Sequence, residues 1–540
     1  MYTQQGVLDR ESAVRQYGPA VRRAATGGSR RSSPPSCGPA EERTLKSQVF
    51  RYFQSNTNGP AGSFGAGLAD WRAFASNPSD RDATWATVVV SVWSVITAML
   101  IGVPLAFALT RVEFTGRRLL SAVAVLPAAL PPLVGVLAFL FLYGESGVFT
   151  RTVQRVFGLA EPPWSLTGLP AVIFVHAYTM YVYVYLFVAA GLERYDHALD
   201  EAAAGLGASR AMVLRRVTLP MLTPALAGAA LLVFMSALGS FSAPYVFGGG
   251  RRVLATQILA SKLNGAEGLA YVETTVLAIA AVLALLLFRW LEGRRKYTSV
   301  GKGRAPRVAI RSATWRRLAP VLATALVLVL VLPHMMVALV AFARDGAWTT
   351  QILPPEYTLD NFRRLATQAE LWRPITNSVT MALVATLANL VVCFLAAYLI
   401  VLTRVPGRRL MQLLVILPWA IPATAIALGL AATFNRNDPL TGRVLLVGTF
   451  WILPLAYFVR NIPIVAGAVE ASLRQMDPSV EDAARGLGAS WWLTIHRIVL
   501  PAARPGLIAG GMLAAVAAVG EFVASIVLST HANRPISMEI

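Results

Sequence analysis

The sequence predicts an all-α protein that crosses a membrane many times in two tandem repeats, and three observations carry that reading. Hydrophobic residues fill 56% of the 540 positions and charged residues only 14%, with a mean hydropathy of +0.57; an ordinary soluble domain carries about 25% charged residues. The apolar residues are gathered into runs of about 20, the length a helix needs to cross a hydrocarbon core about 30 Å thick. A polar, basic segment is written twice, as EAAAGLGASRAMVLRRVTLP from Glu201 to Pro220 and as DAARGLGASWWLTIHRIVLP from Asp482 to Pro501, 281 positions further on.

Ten runs are long enough to span, near 87–110, 117–142, 169–191, 222–247, 271–291, 319–343, 377–403, 410–434, 444–465 and 505–529. Several hold prolines well inside, as in AVLPAALPPLVG with Pro127, Pro131 and Pro132, which membrane helices tolerate where neighbours or water satisfy the freed carbonyls. The net charge of +20 does not point to nucleic acid, because it is mostly arginine in short clusters between runs, where the positive-inside rule puts it. The densest clusters, at 111–118, 291–317 and 404–409, are separated by even numbers of runs, so all fit the cytoplasmic side together with both polar segments. Loops 143–168, 248–270, 344–376 and 435–443 then face outward.

Two cysteines, Cys37 and Cys393, and five scattered histidines offer neither a disulfide framework nor a metal-ligand spacing. No G-x-x-x-x-G-K-[ST] phosphate loop occurs, so ATP hydrolysis by that motif would need a partner chain.

The repetition extends well beyond the polar segment. LADWRAFASNPSDRDATWATVVVSV (68–92) resembles LDNFRRLATQAELWRPITNSVTMAL (359–383), GRRLLSAVAVLPAALP (116–131) matches GRRLMQLLVILPWAIP (407–422), and RRVLATQI (251–258) is similar to NRPISMEI (533–540). The second copy opens with an additional run at 319–343, and the first closes with a run at 271–291 that has no counterpart. The expectation is two repeats of six helices, with the first helix of repeat one and the last of repeat two missing. A misassigned start, a frameshift, a truncated gene or a trimmed chain would each produce that. The domain reading is a polar, Arg-rich, disordered head at 1–64, repeat one at 65–292, a basic cytoplasmic linker at 293–318, and repeat two at 319–540.

Each polar segment reads as an amphipathic cytoplasmic stretch. An acidic opening leads into small residues, Gly207 or Gly488 permits a bend, and a second short helix ends in Leu-Pro, where Pro220 and Pro501 disfavour helix at the residue before. A mere connector has no reason to hold Gly, Ala, Ser and Leu-Pro in one register twice; a docking surface for two equivalent partners does.

On these residues the chain resembles the membrane-spanning permeases of binding-protein-dependent ABC importers, over roughly residues 65–540. Their cytoplasmic EAA loop reads Glu-Ala-Ala, Gly after three residues, then nine residues before Ile-x-Leu-Pro. Glu201, Ala202, Ala203, Gly207, Val217, Leu219 and Pro220 fit that pattern with Val for Ile. Asp482, Ala483, Ala484, Gly488, Ile498, Leu500 and Pro501 fit it with Asp for Glu, and Glu481 stands beside the substitution.

The resemblance implies two tandem repeats of the ABC importer permease (MetI-like) fold, in a bacterial inner membrane, with each EAA loop lying in a groove of an ATPase. The implied partners are two copies of an ABC ATPase subunit, an extracytoplasmic solute-binding protein and membrane lipid. ATP is used by the partner, and no cofactor is expected in this chain. A fused pair of repeats with the linker RRKYTSVGKG and the approach LRQMDPSVEDAARGLGAS is most similar to the iron(III) permeases, with thiamine and phosphonate permeases as alternatives. A secondary transporter driven by an ion gradient is the rival of another class, and a non-functional remnant is a further one.

Inside the runs, Glu521 in AAVGEFVAS stands out, because a carboxylate within a membrane usually faces an interior or an aqueous path. Its counterpart in repeat one is Ser240, and both are pathway candidates. Gly239 and Gly520 beside them suit close helix approach. Arg460 is expected near the cytoplasmic end of its span with its charge snorkelling, and Tyr178, Tyr181 and Tyr185 are expected to pack on one helix face.

Overall fold

A computed structural model describes residues 67–129, 131–196, 198–293, 313–348, 351–435 and 442–539. The expected head at 1–64 and most of the expected linker at 293–318 lie outside the described residues. Residues 65–540 form one compact unit. Among the described residues, the only extended pairing is an isolated bridge between Ala343 and Tyr357.

Repeat one begins with α1 (Leu68–Ser76) and α2 (Pro78–Arg111), the latter capped by Asn77, which accepts from Ser79 N at 3.1 Å. After a tight turn at Gly116 come α3 (Arg117–Val125), α4 (Pro132–Tyr143), α5 (Val148–Phe157) and α6 (Gly168–Arg194). The polar segment supplies α7 (Ala198–Gly205) and α8 (Arg210–Met221). A bend of 65° leads into α9 (Thr223–Leu238), followed by α10 (Ser242–Phe247), α11 (Leu254–Leu263) and α12 (Glu267–Gly293).

Repeat two opens with α13 (Ala313–Phe342), α14 (Asp360–Thr367), α15 (Ala369–Leu402), α16 (Arg408–Ala420), α17 (Ala423–Phe434) and α18 (Ile452–Leu473). Its polar segment supplies α19 (Pro478–Gly486), which leads to α20 (Trp491–Val519) and α21 (Val523–Leu528). Among the described residues, eight helices are long and apolar enough to cross a membrane, or ten if each bent pair counts as one span.

Several expected runs are divided differently. The run at 410–434 is the pair α16 and α17, bent by 108°, and the run at 117–142 is interrupted between α3 and α4, both at the proline-rich LPAALPP and LPWAIP stretches. Proline removes a backbone donor and clashes with the preceding turn, and Pro127, Pro131 and Pro132 in one repeat and Pro418 and Pro422 in the other stand at these breaks. The run at 505–529 starts fourteen residues earlier, at Trp491, and stops at Val519, where Gly520 and Glu521 break it.

Leu-Pro does not interrupt helix as expected: Leu219 has φ −63 and ψ −43, and Leu500 φ −64 and ψ −44. The reason lies one turn earlier. Residues Leu214–Thr218 and Ile495–Val499 form π turns, with Leu219 N–H donating to Leu214 O and Leu500 N–H to Ile495 O. This wider turn shifts the bond register by one, so the donor that proline lacks is not needed in the ladder.

Equivalent bonds recur in both repeats. Thr87 Oγ1 accepts from Leu254 N at 2.8 Å, and Ser378 Oγ accepts from Ile536 N at 2.8 Å, each tying the first long span to the outer segment after the broken helix. One element departs from its sequence neighbours. Helix α13 opens repeat two in sequence, yet it lies on α3 and α4 of repeat one. Tyr178 OH donates to Val329 O at 3.0 Å, and just beyond the helix Trp348 stacks on Phe141 with ring centroids 6.2 Å apart. Tyr178, Tyr181 and Tyr185 are all buried, and Tyr181 also anchors its hydroxyl on Ala124 O at 2.8 Å.

Candidate coupling loops and solute path

The two polar segments adopt one backbone. An aspartate starts each first helix: Asp196 Oδ1 accepts from Ala198 N at 3.0 Å and Asp477 Oδ1 from Ser479 N at 2.9 Å. The Ser479 N–H holds the Asp477 carboxyl below its ordinary value. Gly207 and Gly488 then take φ of +86 and +82, the left-handed region that glycine enters without penalty. The chain closes over them by Ala208 N to Ala203 O and Ala489 N to Ala484 O, both 3.0 Å. Ser209 and Ser490 restart the helix, accepting from Met212 N and Leu493 N at 3.3 Å each.

Glu201, Ala202 and Ala203 lie on α7, and Asp482, Ala483 and Ala484 on α19; the side chain of Asp482 lies outside the described residues. Glu481 does not stand free beside it: Glu481 is buried and paired with Arg485 at 2.5 Å. Leu219, Pro220, Leu500 and Pro501 sit just past the π turns, at the start of the following spans. Sequence reasoning missed the apolar tips of the loops. Leu206 and Leu487 are each 90% exposed, one residue before the bend, and the signal was present as a leucine between two glycines in an otherwise polar stretch.

Anchoring differs between the loops. In repeat one, Asp200 Oδ1 accepts from Tyr195 OH at 2.5 Å and from Thr218 Oγ1 at 3.0 Å, while Oδ2 lies 3.8 Å from Arg111 at the end of α2. Arg111 also lies over the Tyr195 ring, 5.0 Å from its centroid. Burial and then the bond to Asp200 push the Tyr195 hydroxyl up from its ordinary value, so it stays a donor. The same positions in repeat two are Met476, Glu481, Val499 and Leu402, which can make no such cluster. There Trp491 Nε1 donates to Tyr398 OH at 3.1 Å, and Trp492 lies beside it, exposed.

Between the repeats, the broken helices meet. Phe241 and Phe522, which occupy matching positions, approach to 5.9 Å between ring centroids, with Tyr245 6.5 Å from Phe522. A Cβ on Gly239 would lie 3.6 Å from Pro422, and one on Gly520 3.0 Å from Pro131, so each break seats against the kink of the opposite repeat. Both glycines therefore serve close approach.

Ser240 and Glu521 flank this contact with different chemistry. Ser94 Oγ donates to Val90 O at 2.6 Å, and its contact to His176 Nδ1 is 2.8 Å; Ser94 therefore accepts from Nδ1, leaving Nε2 to accept from Ser240 Oγ at 2.9 Å. At the matching place in repeat two, Glu521 Oε2 pairs with Arg460 Nε at 2.7 Å. Arg460 thus does not snorkel at an inner membrane surface: it lies near the middle of α18, held by a carboxylate 61 positions away in sequence but adjacent in space.

The inner halves of α6 and α18 present matching stripes that the protein leaves partly open: Thr179, Tyr183, Leu186 and Ala190 on one, Arg460, Ile464, Gly467 and Ala471 on the other. Arg460 is held by Glu521, which directly precedes Phe522, and Phe522 packs on Phe241 of repeat one, so the Arg460 end of its stripe lies beside the contact between the repeats. Among the described residues no group of three or more His, Cys, Asp or Glu could hold a metal ion.

Two pseudo-equivalent helical halves, joined at a broken-helix contact and each carrying a loop of identical backbone on one side, define a membrane permease rather than a channel-forming oligomer of single helices. The sequence profile of the binding-protein-dependent transport system inner membrane component family matches residues 98–297 and 395–532, more than half of the chain, and the chain belongs to that family. It is a multi-pass inner-membrane protein and the permease component of an ABC importer. A probable ABC transporter permease protein of Sinorhizobium fredii is 28% identical over 463 residues, covering 85% of this chain and 81% of the relative. The ferric transport system permease protein of Actinobacillus pleuropneumoniae is 26% identical over 440 residues, covering 80% and 62%. The sulfate transport system permease protein of Escherichia coli is 34% identical over 175 residues, covering 30% and 63%. ABC importer partners, an ATPase and a binding protein, follow from the family in general.

Proposed function

We propose that the chain forms the solute path of an iron(III) importer and takes two copies of an ATPase subunit, one on each loop. The observation that carries the docking is the duplicated loop backbone, with Gly207 and Gly488 both left-handed and Leu206 and Leu487 both presented to solvent. Glu201, Ala202, Ala203, Asp482, Ala483 and Ala484 belong to the helices that would lie in the ATPase grooves, and Leu219, Pro220, Leu500 and Pro501 transmit their movement to the spans behind. ATP is consumed by the partner, and a binding protein delivers the solute from outside. The iron reading is supported by the extent of the ferric match, 80% of this chain against 30% for the sulfate permease.

The path runs between α6 and α18, past Ser240 and Glu521, and is closed by Phe241 and Phe522. Closure of the ATPase pair draws the loops together and rocks the halves, and the Phe contact opens. The test is ATP-driven uptake by the chain reconstituted with its ATPase and binding protein, supplied in turn with radiolabelled iron(III), sulfate, thiamine and a phosphonate. Iron(III) uptake that is lost in Gly207→Val and Gly488→Val supports the reading. Uptake of another solute replaces iron, and full uptake in both variants removes the docking.

A further inference from the structure

Arg460 is the one charged side chain on the two open stripes, among the described residues. Its side chain is 40% exposed although it lies mid-span, while its partner Glu521 is 8% exposed. Glu521 is fully committed: Oε1 accepts from Val523 N and Ala524 N, both at 3.1 Å, and Oε2 takes Arg460 Nε. The guanidinium uses only that one edge, so its two terminal nitrogens have no protein partner among the described residues. A lipid-facing arginine at this depth is strongly disfavoured. Its partner Glu521 directly precedes Phe522, which packs on Phe241 of the other repeat, and this places Arg460 instead beside the contact between the halves.

We infer that Arg460 is a solute contact, and that it takes two oxyanion oxygens on its free fork. Guanidinium geometry matches a pair of oxygens on a carboxylate, phosphate or sulfate-like group, and that match is strongest where water is scarce. The inference rests on the path reading above and names what passes. A bare trivalent cation would meet repulsion at this point; iron(III) would pass only with anionic oxygens on its outside, whereas a free tetrahedral oxyanion would meet the fork directly. Thr179, the matching residue in repeat one, carries no charge, so a single solute is held toward the repeat-two side.

The test reads the electrostatics of the path without requiring uptake. In the full chain with Cys37→Ser and Cys393→Ser, Ile464→Cys is placed one helical turn along the stripe and labelled in membrane vesicles with thiosulfonate reagents of either charge. The anionic reagent is expected to react about tenfold faster or more than the cationic one, and Arg460→Gln is expected to remove that preference. The double variant Arg460→Gln, Glu521→Gln, which keeps a hydrogen bond and buries no lone carboxylate, is expected to remove it equally and guards against misfolding of the single variant.

Slowing of the labelling by sulfate or phosphate assigns a free oxyanion, and slowing only by iron(III) together with phosphate assigns oxyanion oxygens carried on the metal. Failure of the anionic reagent to react, equal rates for both, a preference indifferent to Arg460→Gln, or no slowing by any of these ions would each overturn the inference. Because labelling needs neither ATPase nor coupling loops, its failure is distinct from a failure of the uptake experiment.

Discussion

The two candidate coupling loops reach the same backbone and hold it by different means. The loop of repeat one is tied to its own span by the Asp200 cluster with Arg111, Tyr195 and Thr218; the loop of repeat two lacks that cluster and rests on Trp491 against Tyr398. The shared parts are those that backbone geometry demands, namely a left-handed glycine, a serine cap and a π turn. The unshared parts are side-chain anchors, for which any buried, satisfied arrangement serves. The duplicated feature is thus the backbone shape of the loop, and the individual feature is how each loop is anchored to its own half.

Four groups of substitutions sharpen or break that comparison. The largest effect is expected from valine at Gly207 or Gly488. A β-branched residue at φ near +85 costs about 1–2 kcal/mol in strain, and it also alters the surface offered to the ATPase. Either variant alone should cut ATPase co-purification and uptake more than about tenfold; a loss at only one loop would show that the grooves are not equivalent.

Next comes Asp200→Ala, which removes the carboxylate 3.8 Å from half-buried Arg111 and the acceptor shared by the Tyr195 and Thr218 hydroxyls. That should cost about 2–4 kcal/mol, read as a lower unfolding temperature of the detergent-purified chain and faster proteolysis at the first loop. The matching Glu481→Ala should cost about 0.3–0.5 kcal/mol, since its partner Arg485 is an exposed residue one turn away on the same helix. Equal losses would sink the claim that only repeat one is pinned by this position.

Tyr398→Phe should loosen the second loop alone, by about 1 kcal/mol for the lost Trp491 bond, seen as increased hydrogen exchange over residues 490–499 with residues 209–218 unchanged. The smallest and most symmetric effect belongs to Ser209→Ala and Ser490→Ala, each about 0.5–1 kcal/mol. If those two differ by more than the error of an unfolding measurement, the caps are not equivalent and the shared-backbone account weakens.

Much of this was legible in the sequence because it depends on local chemistry. Gly207 and Gly488 announced their bends, and the likeness of RRVLATQI to NRPISMEI marked two segments that make matching bonds through Leu254 and Ile536. Features that depend on distant partners were not legible. Arg460 read as a snorkelling residue because nothing near it in sequence is acidic, and Glu521 is 61 positions away. The Leu-Pro pairs read as breaks because the π turns that accommodate them have no residue signature of their own. Phe241 and Phe522 could have been paired through their identical place in the two repeats, had that register been followed to the outer ends of the broken helices.

Helix α13 settles on surfaces of repeat one that were synthesised some two hundred residues before it. While the first half is being threaded into the bilayer, its α3 and α4 do not yet have α13 against the face that it will later cover. The first half therefore reaches its finished packing only after the second has begun to insert, and a ribosome that stopped in the basic stretch before Ala313 would release an unfinished half. Fusing the repeats in one chain guarantees that this late-arriving helix is always delivered next to its place.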